Sequence, residues 1–145
     1  MSRVQLALNV DDVDAAVAFY STLFGAEPAK RRPGYANFAI DDPALKLVLI
    51  ENPGHGGSLN HLGVEVPSTD EVVEQTRRLG AAGLATTVEE GTTCCYALQD
   101  KVWVTDPNGY RWEVFVVKVG DTSTAASPTA ASSTDACCVS TCCHA

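Results

Sequence analysis

The sequence predicts an α+β fold: two βαβββ modules in tandem, with strands curled into a half-open cup, followed by a disordered C-terminal tail. Three observations carry this. Residues 4–27 fall on residues 60–83 without a gap when the chain is shifted by 56 residues. Each copy passes from two-residue alternation into helical spacing and back to strands. After Gly120 the composition collapses to Ser, Thr and Ala with one Pro, which cannot bury enough apolar surface to order itself.

Within the repeat, Leu6 meets Leu62, Val10 meets Val66, Asp14 meets Asp70, Val17 meets Val73, Leu23 meets Leu79 and Ala26 meets Ala82. Val4, Leu6, Leu8 and Val10 alternate with polar or small residues, the period of a strand. From Asp12 to Leu23, Val13, Ala16, Val17 and Tyr20 fall at helical spacing, with Asp11 or Asp12 as N-cap and Gly25 as the stop. Strands are expected over Glu27–Arg31, Tyr35–Ile40 and Lys46–Glu51. The second copy gives a strand over Asn60–Val66 and a helix from about Thr69 to Leu79, stopped near Gly80 and Gly83. Strands near Leu84–Glu89, Tyr96–Val104 and Arg111–Val117 complete it. Asp106-Pro107-Asn108-Gly109 has the chemistry of a turn between the last two. The domain is expected over residues 1–119, with module one about 1–56 and module two about 57–119, and the tail over 120–145.

The 145 residues are enough to bury a core. No apolar run approaches the roughly 20 residues that span a bilayer, and the opening MSRVQLALNVDD lacks the pattern of a secretory signal. A cytoplasmic protein is expected, without membrane partners. The net charge of −8 and the lack of a basic patch argue against nucleic acid as a partner. Lys30, Arg31 and Arg32 read as the solvated flank of a turn.

Paired modules of this kind resemble the vicinal oxygen chelate superfamily, which includes glyoxalases, extradiol dioxygenases and antibiotic-resistance proteins. The resemblance rests on the repeat and on the closing string DPNGYRWEVF, and this fold hosts many chemistries. If Leu6 and Leu8 pack on the helix, Gln5, Ala7 and Asn9 face the cup, as do His61, Gly63 and Glu65 in the second copy. Gln5 and His61 are then the same position in the two modules. Glu113 is a carboxylate on an otherwise apolar strand, where a buried charge needs a partner or a metal. Superfamily members place ligands on the first strand of each module and on the last strand, which are the positions of Gln5, His61 and Glu113. An amide, an imidazole and a carboxylate with open positions vary the facial triad that suits non-haem Fe(II) and O2. Glu51, at a strand end beside Asn52-Pro53-Gly54, is a second carboxylate that reads as solvated. Glu65, Asn9 and His55 read as structural or exposed, and Trp103 and Trp112 as core.

All six cysteines fall in adjacent pairs: Cys94-Cys95, Cys137-Cys138 and Cys142-Cys143. Neighbouring Cα atoms lie about 3.8 Å apart, closer than the roughly 4.4–6.8 Å of a relaxed disulfide. Such pairs suit clamping a thiophilic centre such as trivalent arsenic, cadmium or zinc. Cys94-Cys95 is expected on a mobile loop at the cup mouth, with Tyr96 beside it shaping the pocket or packing in the strand.

The strings VQLALNV, KRRPGYANFAI, LKLVLIENPG, LNHLGVEV and GTTCCYALQDKVWVTDPNGYRWEV, with a cysteine-rich tail, resemble the organoarsenical C–As bond lyases of this superfamily and their cadmium-induced relatives. The resemblance implies an Fe(II)- and O2-dependent enzyme that cleaves the carbon–arsenic bond of trivalent organoarsenicals such as methylarsonous acid, releasing arsenite. It implies Gln5, His61 and Glu113 as metal ligands and Cys94 and Cys95 as the arsenic-binding thiols. The tail linker of about 17 residues reaches roughly 20–25 Å, so Cys137, Cys138, Cys142, Cys143 and His144 are expected to collect arsenicals near the cup. Two other readings stand beside this one: a cadmium-, zinc- or arsenic-sequestering protein without catalysis, and a thiol-transferring resistance enzyme. The chain is expected to act as a monomer or homodimer.

Overall fold

A computed structural model describes residues 1–94 and 97–119, with the backbone alone at Cys94. Cys95, Tyr96 and the expected tail with its four cysteines lie outside the described residues.

Ten elements follow in order: β1 (Arg3–Val10), α1 (Val13–Phe24), β2 (Lys30–Arg32), β3 (Tyr35–Ile40), β4 (Leu45–Glu51), β5 (Leu59–Glu65), α2 (Thr69–Ala81), β6 (Thr87–Cys94), β7 (Ala97–Thr105) and β8 (Arg111–Val119). The eight strands form one open sheet in the order β2-β3-β4-β1-β5-β8-β7-β6. Its halves repeat one pattern. β1 pairs parallel with β4, β5 pairs parallel with β8, and β1 and β5 join the modules antiparallel. Ala7 stands opposite Val48 where Gly63 stands opposite Glu113, so Val48 is the module-one counterpart of Glu113.

One face of the sheet carries the helices. Asp12 caps α1, its carboxylate accepting from the backbone N–H groups of Asp14 and Ala15, and Gly25 closes the helix at φ +61, a left-handed conformation that suits glycine. Ser68 caps α2. α1 packs on β3 and β4, and α2 on β7 and β8. Val13 and Val17 meet Phe38, Leu47 and Leu49, with Leu6 and Leu8 at the margin. Val72 meets Val66, Val102 and Val116. Phe38 is fully buried, so its truncation to Ala would cost roughly 3–5 kcal/mol. The turn after β7 is held by Asp106, whose carboxylate accepts from the N–H groups of Asn108 and Tyr110.

Three expectations need correction. The second strand is Lys30–Arg32 rather than Glu27–Arg31: Pro28 has no N–H for a ladder, and the three basic residues, flanking the Pro33-Gly34 turn as expected, pair across it with Tyr35, Ala36 and Asn37. The sixth strand starts later than Leu84 and runs on through Gly91 to Cys94, so Cys94 ends a strand rather than sitting in a loop. The repeat match of Val17 with Val73 does not extend to burial: Val17 is buried and Val73 is 58% exposed, with Val72 taking the inward position. Trp103 is buried as expected, on the cup face rather than in either helix-side cluster, whereas Trp112, also expected in the core, is only half-buried. Among the described residues no helix is long and apolar enough to cross a membrane.

Candidate functional site

Three adjacent strands, β1, β5 and β8, bring Gln5, His61 and Glu113 together on the face away from the helices. Each sits on a strand whose intervening side chains point to the helices, so strand alternation aims all three into the cup. They are 4%, 5% and 3% exposed. Gln5 Nε2 donates to Glu113 Oε1 at 2.6 Å and lies 3.2 Å from His61 Nε2. His61 Nε2 is 3.3 Å from the same Glu113 oxygen.

Gly63 makes this convergence possible. It lies between Gln5 and Glu113 in the ladder, and a Cβ there would sit 3.0 Å from Glu113 Cγ and 3.3 Å from both Gln5 Cβ and Nε2. The first module has Ala7 at the matching place, opposite Val48 instead of a carboxylate.

The imidazole is oriented from behind. Asn60 Nδ2 donates to Asn9 Oδ1 at 2.9 Å, which leaves Asn60 Oδ1 to accept from His61 Nδ1 at 2.7 Å. With Nδ1 turned to Asn60, Nε2 is directed toward the Gln5 amide and Glu113 Oε1. Glu113 Oε2 is held separately: Lys101 Nζ donates to it at 2.9 Å. Burial pushes the Glu113 carboxyl up, but hydrogen bonding and charge from His61 and Lys101 outweigh it and hold it down at about 2. The carboxylate is therefore ionised, with Oε1 left for the centre of the site.

These residues fit a divalent cation. Among the described residues no three His, Cys, Asp or Glu side chains cluster as ligands, so a metal here needs the Gln5 amide as third donor. Rotation of that amide's last torsion presents its oxygen in place of its NH2 group. An amide oxygen, an imidazole nitrogen and a carboxylate oxygen suit Fe(II) or Mn(II).

Around this centre, Trp103 meets the His61 ring edge-to-face at 5.3 Å, and the Arg111 guanidinium lies 4.2 Å above the Trp103 ring. A cleft of about 310 Å³ opens beside Trp103, lined also by Thr87, Glu89, Thr105 and Arg111. Among the described residues, Trp103 Nε1 and Glu89 Oε2 are buried there without a hydrogen-bond partner, a polar lining for a polar guest. The Cys94 backbone, at the end of β6, is in register with Ala97. Cys95 and Tyr96, expected beside it, lie outside the described residues.

The residues set aside in the sequence have other work. Glu51 Oε2 accepts from Val13 N–H at the start of α1. Glu65 pairs with Arg3 at 2.5 Å and stands 4.0 Å from Lys46. Asn9 donates to Ser58, and His55 is an exposed turn residue. Lys101, Asn60 and Gly63 were not singled out by sequence reasoning. Lys101 was within reach, because a lysine among the apolar residues of DKVWV poses the same question as Glu113.

An open sheet of paired modules, with polar groups converging on its concave face, defines a glyoxalase-type fold. The chain belongs to the Glyoxalase/Bleomycin resistance protein/Dioxygenase superfamily, which it matches over residues 3–114. It is 68% identical over 127 residues to the cadmium-induced protein CadI of Mycobacterium tuberculosis, covering 88% of this chain and 83% of that one. It is 61% identical over 127 residues to a trivalent organoarsenical cleaving enzyme of Thermomonospora curvata, covering 87% and 83%. The Mn(II)-bound glyoxalase of Novosphingobium aromaticivorans shares the fold, with a TM-score of 0.59 and 22% identity over 80% of this chain and 40% of that one.

Proposed function

We propose that this protein cleaves the carbon–arsenic bond of trivalent organoarsenicals such as methylarsonous acid, using Fe(II) and O2 and releasing arsenite, in the reducing cytoplasm where its thiols stay free. The observation that carries the reading is the meeting of Gln5, His61 and Glu113 around one oxygen of Glu113, in a chain 61% identical to a trivalent organoarsenical cleaving enzyme.

In this reading Gln5, His61 and Glu113 hold the iron, which supplies the redox chemistry that lets O2 react with the arsenical. Cys94 and Cys95 exchange for the two oxygen ligands of the arsenical and leave its carbon substituent exposed. Holding that carbon near the metal turns a bimolecular encounter into an effectively unimolecular one. Lys101 keeps Glu113 ionised and turned, Asn60 keeps His61 Nε2 directed inward, and Trp103 with Arg111 walls the approach.

The test is reconstitution of the full chain with Fe(II) without oxygen, addition of methylarsonous acid, and then admission of O2 while arsenite is assayed. Arsenite is expected only with both iron and oxygen. Glu113→Ala should abolish its release while leaving arsenical binding intact, and Cys95→Ser should weaken binding. The 68% identity to a cadmium-induced protein favours a second reading, sequestration of thiophilic ions without catalysis. Bound iron and bound arsenical with no arsenite released would support that one instead.

A further inference from the structure

Strand β6 is irregular at one point, and that point lies opposite a buried carboxylate. Glu89 pairs with Lys101 and Thr92 with Gln99, so Glu90 and Gly91 together stand opposite Asp100 alone. On the other side of β7 the ladder also breaks step. Leu98 pairs with Val119 and Gln99 with Val117, which makes Lys118 an extra residue in β8.

Asp100, 3% exposed, is bonded to both bulges. Its Oδ1 accepts from Gly91 N–H at 2.7 Å, and its Oδ2 lies 3.0 Å from Lys118 Nζ. Thr69, the first residue of α2, donates to Oδ2 at 2.7 Å. The Gly91 N–H, then Thr69 and Lys118, hold the Asp100 carboxyl below its ordinary value against burial. Gly91 has φ +58, a conformation that L side chains disfavour.

A bulge changes which residues of a strand share a face. Lys101 and Trp103 belong to the cup face, through Glu113 and His61. Glu89 is registered on that face before the bulge and Thr92 after it, an odd and an even position. Two residues beyond Thr92, the Cys94 position is registered opposite Ala97 on the same face. Without the extra residue, Thr93 would take that place.

We propose that Asp100 and the Gly91 bulge are a positioning device for Cys94: the extra residue sets Cys94 rather than Thr93 at the cup-face register position, and Asp100 locks that register. The inference rests on the arsenic-binding reading of Cys94 and Cys95. Asp100 is a positioning residue, acting through the β6 backbone.

The test measures equilibrium binding of methylarsonous acid, and separately of Mn(II), to the full chain with Cys137, Cys138, Cys142 and Cys143 replaced by Ser in every arm. Gly91→Val, which forces the bulge out, should weaken arsenical binding by about 100-fold, the scale of losing one arm of a two-point attachment. Deletion of Glu90 should do the opposite of what a shortened strand suggests. It restores a one-to-one ladder with Cys94 still opposite Ala97, so arsenical affinity stays close to the parent's. Mn(II) affinity should hold in both, which separates clamp register from general damage. Parental arsenical affinity in Gly91→Val, or an equal loss on deleting Glu90, would overturn the inference. Where Gly91→Val does not fold, Asp100→Asn decides: weakened arsenical binding with intact Mn(II) binding supports the device, and parental binding overturns it. Parental binding in Cys94→Ser and Cys95→Ser would instead overturn the thiol reading itself, and the device with it.

Discussion

Lys101 Nζ lies 2.9 Å from Glu113 Oε2, with the two side chains 1% and 4% exposed. This is the most deeply buried ion pair among those described, and it lies at the site. Removing one partner of such a pair strands the other charge, at a cost of about 3–5 kcal/mol. Lys101→Met should therefore lower the metal-free melting temperature sharply. A divalent ion at Glu113 Oε1 replaces part of the missing positive charge, so Mn(II) should raise the melting temperature of Lys101→Met by more than it raises the parent's. Thermal shift with and without Mn(II) checks this. An equal rise in both proteins would mean that the metal and Lys101 do not share Glu113.

Gly63→Ala should cost about 1–3 kcal/mol by overpacking, because its Cβ would fall 3.0 Å from Glu113 Cγ and 3.3 Å from Gln5. The substitution separates the ligands more than it disturbs the core, so metal affinity should fall by more than the stability loss alone suggests. Ala7→Gly, the counterpart change in module one, should leave metal affinity as it was. Isothermal titration with Mn(II) on both variants makes the comparison, and unchanged affinity in Gly63→Ala would refute the cradle.

How much of this was legible in the sequence depends on periodicity. Gln5, His61 and Glu113 could be read because strand alternation and the 56-residue offset place them without reference to any loop. Lys101 and Asn60 could not be paired with their partners, since nothing in the sequence fixes the lateral register of β7 against β8 or the rotamer of a neighbouring asparagine. The end of β6 was lost for a sharper reason. A bulge breaks the two-residue period, so Glu89 and Thr92 share a face that their spacing denies. Gly91 and two threonines then read as loop, when the glycine supplies the one left-handed residue that a continuing strand needs.

The same bulge gives the protein an acid limit. Asp100 is depressed from its ordinary value of 3.8, chiefly by the Gly91 N–H and then by Thr69 and Lys118. A carboxyl with a lowered folded-state value contributes stability that is present above the unfolded value and is lost as pH falls through the folded one. Urea unfolding at a series of pH values on the acid side of 3.8 should show Asp100→Asn losing less stability with acidification than the parent. Parallel acid limbs in the two proteins would show that Asp100 does not set this dependence.

The site also depends on a residue that touches no metal. Asn60 Oδ1 accepts from His61 Nδ1 at 2.7 Å, and Asn60 Nδ2 donates to Asn9 Oδ1 at 2.9 Å. Asn9 is itself 8% exposed and donates to Ser58 at 2.9 Å. The chain Ser58–Asn9–Asn60–His61 thus fixes both the tautomer and the ring plane from the segment that joins the modules. Groups that orient a ligating imidazole in this way typically change metal affinity by about 10–100-fold when lost. Asn60→Leu keeps the side-chain volume and removes both hydrogen bonds, so Mn(II) affinity should fall within that range. His61 should also become free to take either tautomer, visible in the ¹⁵N shifts of its ring. Asn60→Asp keeps an acceptor for Nδ1 and should recover most of the affinity while losing the bond to Asn9. Full metal affinity in Asn60→Leu would place the control of His61 elsewhere, with Trp103 the remaining described neighbour packed against the ring.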